Sequence, residues 1–284
     1  MQTILIILSQ AGVLAPLAVG VALVYRLSKV INFAAGTMSV FLGYCAASFD
    51  NSVPGVIITL LLGCLVGVVG YLTSVLPAQY MKVPPVGIAL ATLGFALALQ
   101  AAGEMIFGGS AEAANAWVEG AVQFAGVNLA YQRLIAIGIG IGITVLVVIV
   151  FDRTMIGRTM EACAGDENLA QLYGIRPRGF HLLAWGVAGA CCAVTGILQV
   201  GLASISGPLS MQLLNLAIIG AVLGGIGGLA ASSLGVLAVA TVTAVCQQYV
   251  NSNFVLTPIL ILLLLGLLVR PQGIFQSKLT ADRT

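Results

Sequence analysis

Charge is nearly absent from this sequence. Its 284 residues include 11 Lys or Arg and 9 Asp or Glu, so 7% are charged, while 60% are hydrophobic. Globular domains carry about 25% charged residues. A soluble core of this length cannot bury so much apolar surface, so the sequence predicts a chain that lies in lipid. The net charge of +2 excludes nucleic acid as a main partner.

Groups that carry chemistry are equally scarce. No G-K-S or G-K-T occurs, which excludes a Walker A loop, and the glycine cluster Gly224–Gly228 lies in an apolar segment with no lysine after it. The single histidine, His181, begins an apolar segment and is interpreted as a polar interfacial residue. Six cysteines lack metal or disulfide spacing and are expected to act as small hydrophobes. The sequence predicts no catalytic residue and no metal site.

Runs of about 20 apolar residues cross a bilayer, and nine segments fit that length or approach it. Leu213–Gly228 is short and rich in glycine, so a re-entrant segment is the alternative there. Small residues four apart, at Gly63/Gly67, Gly138/Gly142 and Gly220/Gly224/Gly228, predict close helix contacts. The predicted segments are Ile4–Tyr25, Val30–Phe49, Val53–Leu76, Pro84–Gly103, Leu134–Phe151, His181–Ala203, Leu213–Gly228, Leu234–Val250 and Phe254–Val269.

The predicted fold is therefore an all-α polytopic membrane protein with eight or nine transmembrane helices in one bundle, forming a single domain over residues 1–284. With the N-terminus outside and nine crossings, ten of the eleven Lys and Arg residues lie on the cytoplasmic side and only Arg133 lies outside. Eight crossings place the C-terminal Arg and Lys on the wrong face. A cytoplasmic loop over 152–180 and an external loop over 104–132 follow.

The predicted segments contain no Asp, Glu, Lys or Arg, and their polarity comes from amides and hydroxyls. Proton- and ion-coupled carriers usually need ionisable groups there, so their absence argues against secondary transport. Amides and hydroxyls can line a passage for a polar or zwitterionic solute; hydrogen bonding between helices is the alternative. The residues predicted to line the passage are Asn32, Gly36, Thr92, Gln100 and Asn215.

The loop 152–180 carries the most complete set of helix signals. Ile156, Met160, Cys163 and Ala164 form an apolar stripe on a predicted helix, with Arg158 and Glu161 on its other face. Asp166 is a suitable N-cap for a second short helix, Glu167 lies in its first turn, and Gly174 is placed to end it. The predicted docking residues for a soluble partner are Arg158, Glu161, Asp166, Glu167 and Gly174. The alternative is a solvated connector.

Motifs along nearly the whole chain resemble the membrane permease subunits of ABC importers for branched-chain and other hydrophobic amino acids. Glu161-Ala162-Cys163 meets only part of the wider importer loop pattern, and Ala35-Gly36-Thr37 replaces a more polar family motif. The matching motifs are Val30-Ile31-Asn32-Phe33-Ala34-Ala35-Gly36, Ala91-Thr92-Leu93-Gly94, Leu99-Gln100, Gly157-Arg158, Gly174-Ile175, Leu223-Gly224-Gly225-Ile226-Gly227 and Arg270-Pro271-Gln272-Gly273-Ile274-Phe275.

The resemblance implies a non-enzymatic subunit in the bacterial inner membrane, driven by two cytoplasmic ATPase subunits that fit the cytoplasmic loop. It further implies a homologous second permease or a second copy, an external solute-binding protein, and no cofactor in this chain because the ATPases bind Mg-ATP. The expected solute is a branched-chain or other hydrophobic amino acid. Relatives also move urea, amides and other small polar solutes, so these stay open, as does an ATP-independent channel or carrier.

Overall fold

The computed structural model describes residues 2–49, 52–108, 120–124, 127–249, 256–270 and 273–275. Almost all of these residues are helical, and one antiparallel hairpin pairs Ala121 with Ala130 and Phe124 with Val127. In chain order the elements are α1 Gln2–Ser28, α2 Ala35–Ser48, α3 Val53–Gly70, a π-helical turn Tyr71–Val75, α4 Leu76–Tyr80, α5 Pro85–Phe107, β1 Ala121–Phe124, β2 Val127–Ala130, α6 Tyr131–Arg153, α7 Met155–Gly165, α8 Glu167–Leu172, α9 Pro177–Leu202, α10 Leu209–Gly224, α11 Leu229–Tyr249 and α12 Leu256–Val269.

Six helices of the described residues are long and apolar enough to cross a membrane, and α2, α10 and α12 are shorter apolar helices. The contacts at the helix ends agree with nine alternating membrane helices. At one end, Arg26 of α1 bonds Asp152 of α6; at the other, Thr3 of α1 bonds Gln248 of α11. Ile274, after α12, lies at the same end as Arg26 and Asp152, where its N–H donates to Leu223 O at 2.7 Å. The chain is a multi-pass membrane protein.

Several predicted segments have different bounds in the structure. α2 has 14 residues and begins at Ala35 rather than Val30, because the preceding stretch leaves α1 and folds back into the protein. α10 and α11 begin four and five residues earlier than predicted, and α10 ends at Gly224 because the turn between them starts at Gly225, whose φ of 117° favours glycine. α5 continues to Phe107, so Glu104 is helical and not part of a loop.

The two short helices α2 and α10 begin beside each other inside the protein. Their lengths of about 21 and 24 Å, at 1.5 Å per residue, fall short of a hydrocarbon core about 30 Å thick. The first turn of α2 is pressed against α10, because a Cβ on Gly36 would overlap Ser210 O and Leu214. The protein covers part of the non-helical stretches before both helices: Ala34 and Ile205 are fully buried, while Lys29, Ser204 and Pro208 are exposed. Such covering is what irregular backbone at membrane depth requires.

Helix α9 is the centre of the bundle and packs against α1, α2 and α3. The α3–α9 contact depends on the predicted glycine pair, because a Cβ on Gly67 would overlap Trp185 O and a Cβ on Gly189 would overlap Gly63 O. Gly220 and Gly224 make the same kind of contact with α11. The prediction for Gly138 and Gly142 is wrong: neither has a neighbouring atom within 4 Å of a Cβ placed there.

Replacing Gly189 by leucine is expected to destabilise the bundle, because two backbones would have to separate to admit the side chain. Overpacking of this kind typically costs about 1–3 kcal/mol. We expect a lower melting temperature and more aggregate when the detergent-purified protein is heated and passed through size exclusion. Gly142→Leu is the matched control, and equal losses in both variants would contradict the assigned α3–α9 contact.

Candidate functional site

The cytoplasmic loop forms the two helices that the sequence predicts. On α7 the buried face contains Gly157, Met160 and Cys163, which pack under the ends of α1 and α6. Ile156 was expected on this face but is 42% exposed, because the small Gly157, one residue further on, makes the contact with the backbone of Phe151. Burial, and after it the negative charge of Glu167, raises the pKa of the Cys163 thiol, so this cysteine is poorly reactive.

Both predicted caps of α8 are confirmed. Asp166 Oδ1 accepts the N–H groups of Asn168 at 2.9 Å and Leu169 at 3.0 Å. At the other end Gly174 has a φ of 79°, and its N–H donates to Gln171 O at 2.9 Å while Ile175 N donates to Ala170 O at 3.1 Å. This pair of bonds is a Schellman motif. The caps satisfy the free ends of a helix too short to be stable alone.

An arginine joins α7 to the membrane helices. Arg26, in the last turn of α1, contacts Asp152 at 2.7 Å and also pairs with Glu161 of α7. The arginine side chain is largely covered while both carboxylates are partly exposed. Glu161 was predicted to face a partner, but the structure shows it engaged within the chain as well.

His181 joins α8 to the membrane helices. Its ring is 2% exposed and lies 3.2 Å from Ser28 Oγ through Nδ1 and 3.0 Å from Glu167 Oε1 through Nε2. The ring also stacks on Tyr71 of the π-helical turn, with centroids 5.5 Å apart and planes 7° from parallel. One buried residue thus ties the first turn of α8 to α1, α9 and the π-helical turn.

Two of the predicted passage residues, Asn32 and Thr92, hold the connection between α1 and α2. Asn32 is 1% exposed and its Oδ1 accepts Ala34 N at 3.0 Å, while Thr92 Oγ1 accepts Phe33 N at 3.2 Å. Thr92 lies seven residues into α5, about 10 Å along the helix axis. These contacts satisfy backbone donors at membrane depth, which agrees with the hydrogen-bonding alternative for both side chains.

Gln100 lies in a cavity of about 310 Å³ between α2, α5 and the start of α10, which we call the α5 cavity. Its polar lining includes Thr37, Ser210 and Glu104, and Gln100 Nε2 donates to Glu104 Oε1 at 3.0 Å. Gly36 is next to Thr37, and because it has no side chain α10 packs directly against the first turn of α2. Val40, Phe41, Leu99 and Met211 supply the apolar lining. Asn215 is exposed on α10 and lies outside this cavity.

Comparison with known proteins decides the family. Residues 3–269 match the family described as branched-chain amino acid transport system, permease component. The chain belongs to this permease family. The match covers nearly all of the described helices, including the cytoplasmic loop.

Among curated proteins, the permease is similar to the high-affinity branched-chain amino acid transport system permease protein LivH of Salmonella typhimurium strain LT2 and of Escherichia coli strain K12. Each is 32% identical over 120 residues, which is 42% of this chain and 39% of the relative. The match therefore spans less than half of the length of these relatives. Among solved structures, PsaBC from Streptococcus pneumoniae in complex with Fab covers 99% of this chain and 96% of its own, with a TM-score of 0.54 and 16% identity. That likeness shows the fold.

Sequence reasoning missed two groups in this permease. Glu104 was placed in the external loop because the predicted segment ended at Gly103, although a helix that continues for one more turn brings the carboxylate beside Gln100. Leu169, Leu172 and Tyr173 were not singled out, although all three are exposed on α8 and its C-terminal end. The spacing of Leu172 and Tyr173, three and four residues after Leu169, places them on one face of a helix and was the available signal.

The end of α8 offers a test that needs no partner. Gly174→Ala places a side chain at positive φ, at a cost of about 1–2 kcal/mol, and Asp166→Ala removes a cap worth about 1 kcal/mol. We expect the amides of 167–172 to exchange hydrogen about fivefold or more faster in either variant, measured by mass spectrometry on the purified permease. Gly165→Ala, at a helical glycine with free space, is the control. Unchanged exchange in both cap variants would show that the caps do not stabilise α8.

Proposed function

We propose that this permease is the membrane-spanning subunit of an ATP-driven importer that carries branched-chain or other apolar amino acids across the inner membrane. Family membership supports the class of transporter. The observation that carries the ATP-driven part is an exposed apolar face on α8, held rigidly to the membrane helices.

The α8 face is suited to a protein partner. Leu172 is 83% exposed, Tyr173 80% and Leu169 52%, in a loop that the charge distribution assigns to the aqueous cytoplasm. Contiguous apolar residues in water mark an interaction site. Arg158, exposed on α7, adds a charged group nearby. The proposed partners on this face are cytoplasmic ATPase subunits, which bind Mg-ATP themselves.

Two contacts provide a route for force from this face into the bundle. Glu167 is held by His181, which is buried between α1, α9 and Tyr71. Glu161 is held by Arg26 at the end of α1. Helices α1 and α9 both pack on α2, which lines the α5 cavity. A displacement of α7 and α8 is thereby transmitted to helices that surround a solute-sized space.

The chemistry of the α5 cavity favours an amino acid over the alternatives. Glu104 supplies a carboxylate for an ammonium group, and Gln100, Thr37 and Ser210 supply neutral polar groups. Val40, Phe41, Leu99 and Met211 suit an apolar side chain. Urea and simple amides have no cationic group for Glu104 and at most a small apolar part, so they match this lining less well. An ATP-independent channel or carrier needs no exposed apolar face on α8.

The remaining proposed partners complete a translocation unit: a homologous permease or a second copy of this chain, and an external solute-binding protein. The test is uptake into proteoliposomes that contain this complete assembly. We expect leucine, isoleucine or valine to be taken up only with ATP, and urea and acetamide not to compete. Uptake that is independent of ATP would contradict the importer assignment, and competition by urea would contradict the solute class.

A variant of the α8 face isolates the docking step. Leu172→Gln with Tyr173→Ser removes apolar area that we expect to be buried against the ATPase, so co-purified ATPase and ATP-dependent uptake should both fall at least tenfold. Met81→Gln is the matched control, because Met81 is 77% exposed at the same side of the membrane but lies between α4 and α5. Equal association in both variants would remove the α8 face from the interface.

A substitution at Glu104 tests the α5 cavity separately from ATPase docking. Glu104→Gln removes the proposed partner of the solute ammonium, and loss of one charge-assisted hydrogen bond corresponds to about a tenfold weaker interaction. We expect about tenfold slower leucine uptake at limiting concentration, with partial recovery in Glu104→Asp, while ATPase association stays as in the wild type. Initial rates over a range of leucine concentrations provide the measurement. Wild-type rates in Glu104→Gln would contradict this role of the α5 cavity.

A further inference from the structure

A second cavity, of about 330 Å³, lies between α1, α9, α10 and α11, on the other side of the start of α10 from the α5 cavity. Its lining comes from the outer ends of these helices: the first turns of α1, the last turns of α9 and α11, and Arg133 in the first turn of α6. We call it the arginine cavity.

Arg133 gives this cavity a positive charge. It is the one Lys or Arg that the charge distribution assigns to the outside. Within the described ranges it has no ion pair and no hydrogen bond, whereas Arg26 on the other side contacts two carboxylates. A guanidinium stays charged at all physiological pH values and matches the two oxygens of a carboxylate.

Four glutamines surround the same space: Gln10, Gln199, Gln212 and Gln247. Gln10 Nε2 donates to Gln247 Oε1 at 2.9 Å, and the side-chain oxygen Oε1 of Gln10 has no hydrogen-bond partner among the described residues. Carboxamides provide both donors and acceptors. A cluster of amides beside one arginine suits a ligand with a carboxylate and a hydrogen-bond donor better than a simple anion.

The rest of the lining is apolar and branched. Ile6, Leu202, Leu213 and Leu216 lie along the cavity with Val13 and Leu14. Pockets for small molecules combine such an apolar lining with a few polar groups that fix the ligand's orientation. The lining therefore favours a ligand that has a branched apolar part joined to its carboxylate.

We infer that the arginine cavity is a second solute site on the outer side of the permease, which binds the carboxylate of an apolar amino acid at Arg133 and its side chain among Ile6, Leu202 and Leu213. The identity of the solute rests on the proposed function; the carboxylate site itself rests on Arg133, the glutamines and the apolar lining. The α5 cavity, with Glu104, carries the opposite charge.

The test is equilibrium binding to the complete transporter in phosphatidylcholine nanodiscs, without nucleotide and without the external binding protein. The probes are leucine, isovalerate, which keeps the carboxylate and the branched chain, and isoamylamine, which keeps the ammonium and the branched chain. In Arg133→Gln we expect leucine and isovalerate to bind about tenfold or more weakly, and isoamylamine as in the wild type. Arg133→Lys, which keeps the charge, should recover part of the affinity.

Glutamine variants provide the matched pair. Gln212→Leu should weaken leucine binding severalfold, as expected for loss of a neutral hydrogen bond. Gln248→Leu should not, because Gln248 bonds Thr3 and is not part of the cavity lining. Equal weakening by both variants would indicate a general effect on α10 and α11 and would overturn the site.

Two other results would overturn the inference. One is wild-type binding of leucine and isovalerate in Arg133→Gln. The other is a combination of two results: phosphatidylglycerol added to the nanodiscs displaces leucine, and isovalerate shows no binding that depends on Arg133. That combination would assign the cavity to a lipid headgroup. The proposed function is tested separately in the proteoliposome experiment, where it fails if the wild type shows no ATP-dependent uptake of leucine. Arg133-dependent binding of isovalerate would support the carboxylate site even then.

Discussion

Every backbone N–H and C=O group at membrane depth must find a partner within the protein, and the architecture follows from this requirement. Among the described residues of the bundle, the chain leaves helical structure before α2, before α10 and between α10 and α11, at stretches that neighbouring helices bury in part. The freed donors at Phe33 and Ala34 bond to Thr92 and Asn32. These polar side chains thus permit a broken helix, which places the starts of α2 and α10 beside a cavity rather than at the membrane surface.

A rigid connection between the cytoplasmic loop and the bundle depends on charge at the inner ends of the helices. Arg26 holds α7, and His181 holds α8. Both contacts join residues more than ten positions apart in sequence, and both leave a carboxylate partly exposed. Because the carboxylates are partly in solvent, each contact contributes about 0.2–1 kcal/mol, which adds to the caps and to the buried face of α7 in holding short helices that would be unstable alone. The exposed apolar side chains of α8 are therefore presented by a fixed surface.

Much of the fold follows from the sequence because local signals determine it. Apolar runs predicted a bundle of eight or nine transmembrane helices, with which the six long and three shorter apolar helices roughly agree, and Asp166 and Gly174 predicted both ends of α8. The bounds of α2 were missed because apolar residues continue through the break, and the side chains that bond its backbone, Asn32 and Thr92, are 60 residues apart in the sequence. The α5 cavity could not be predicted, since it joins Gln100 to α2 and α10 through tertiary packing. The role of Glu161 stays a prediction, now with Arg26 as a second partner.

The two cavities flank the start of α10 and differ in charge, which constrains how one solute could use both. In the proposed mechanism a zwitterion offers its carboxylate to Arg133 and its ammonium to Glu104, so neither cavity alone satisfies both of its charged groups with a charged partner. Under this proposal partial satisfaction weakens binding at each site, which suits transport because the solute must also leave. Because α10 separates the cavities and Gly36 presses α2 against it, a shift of α10 changes both cavities at once. The helix start at Leu209 is thus the element through which motion at the cytoplasmic loop would alter access to the solute.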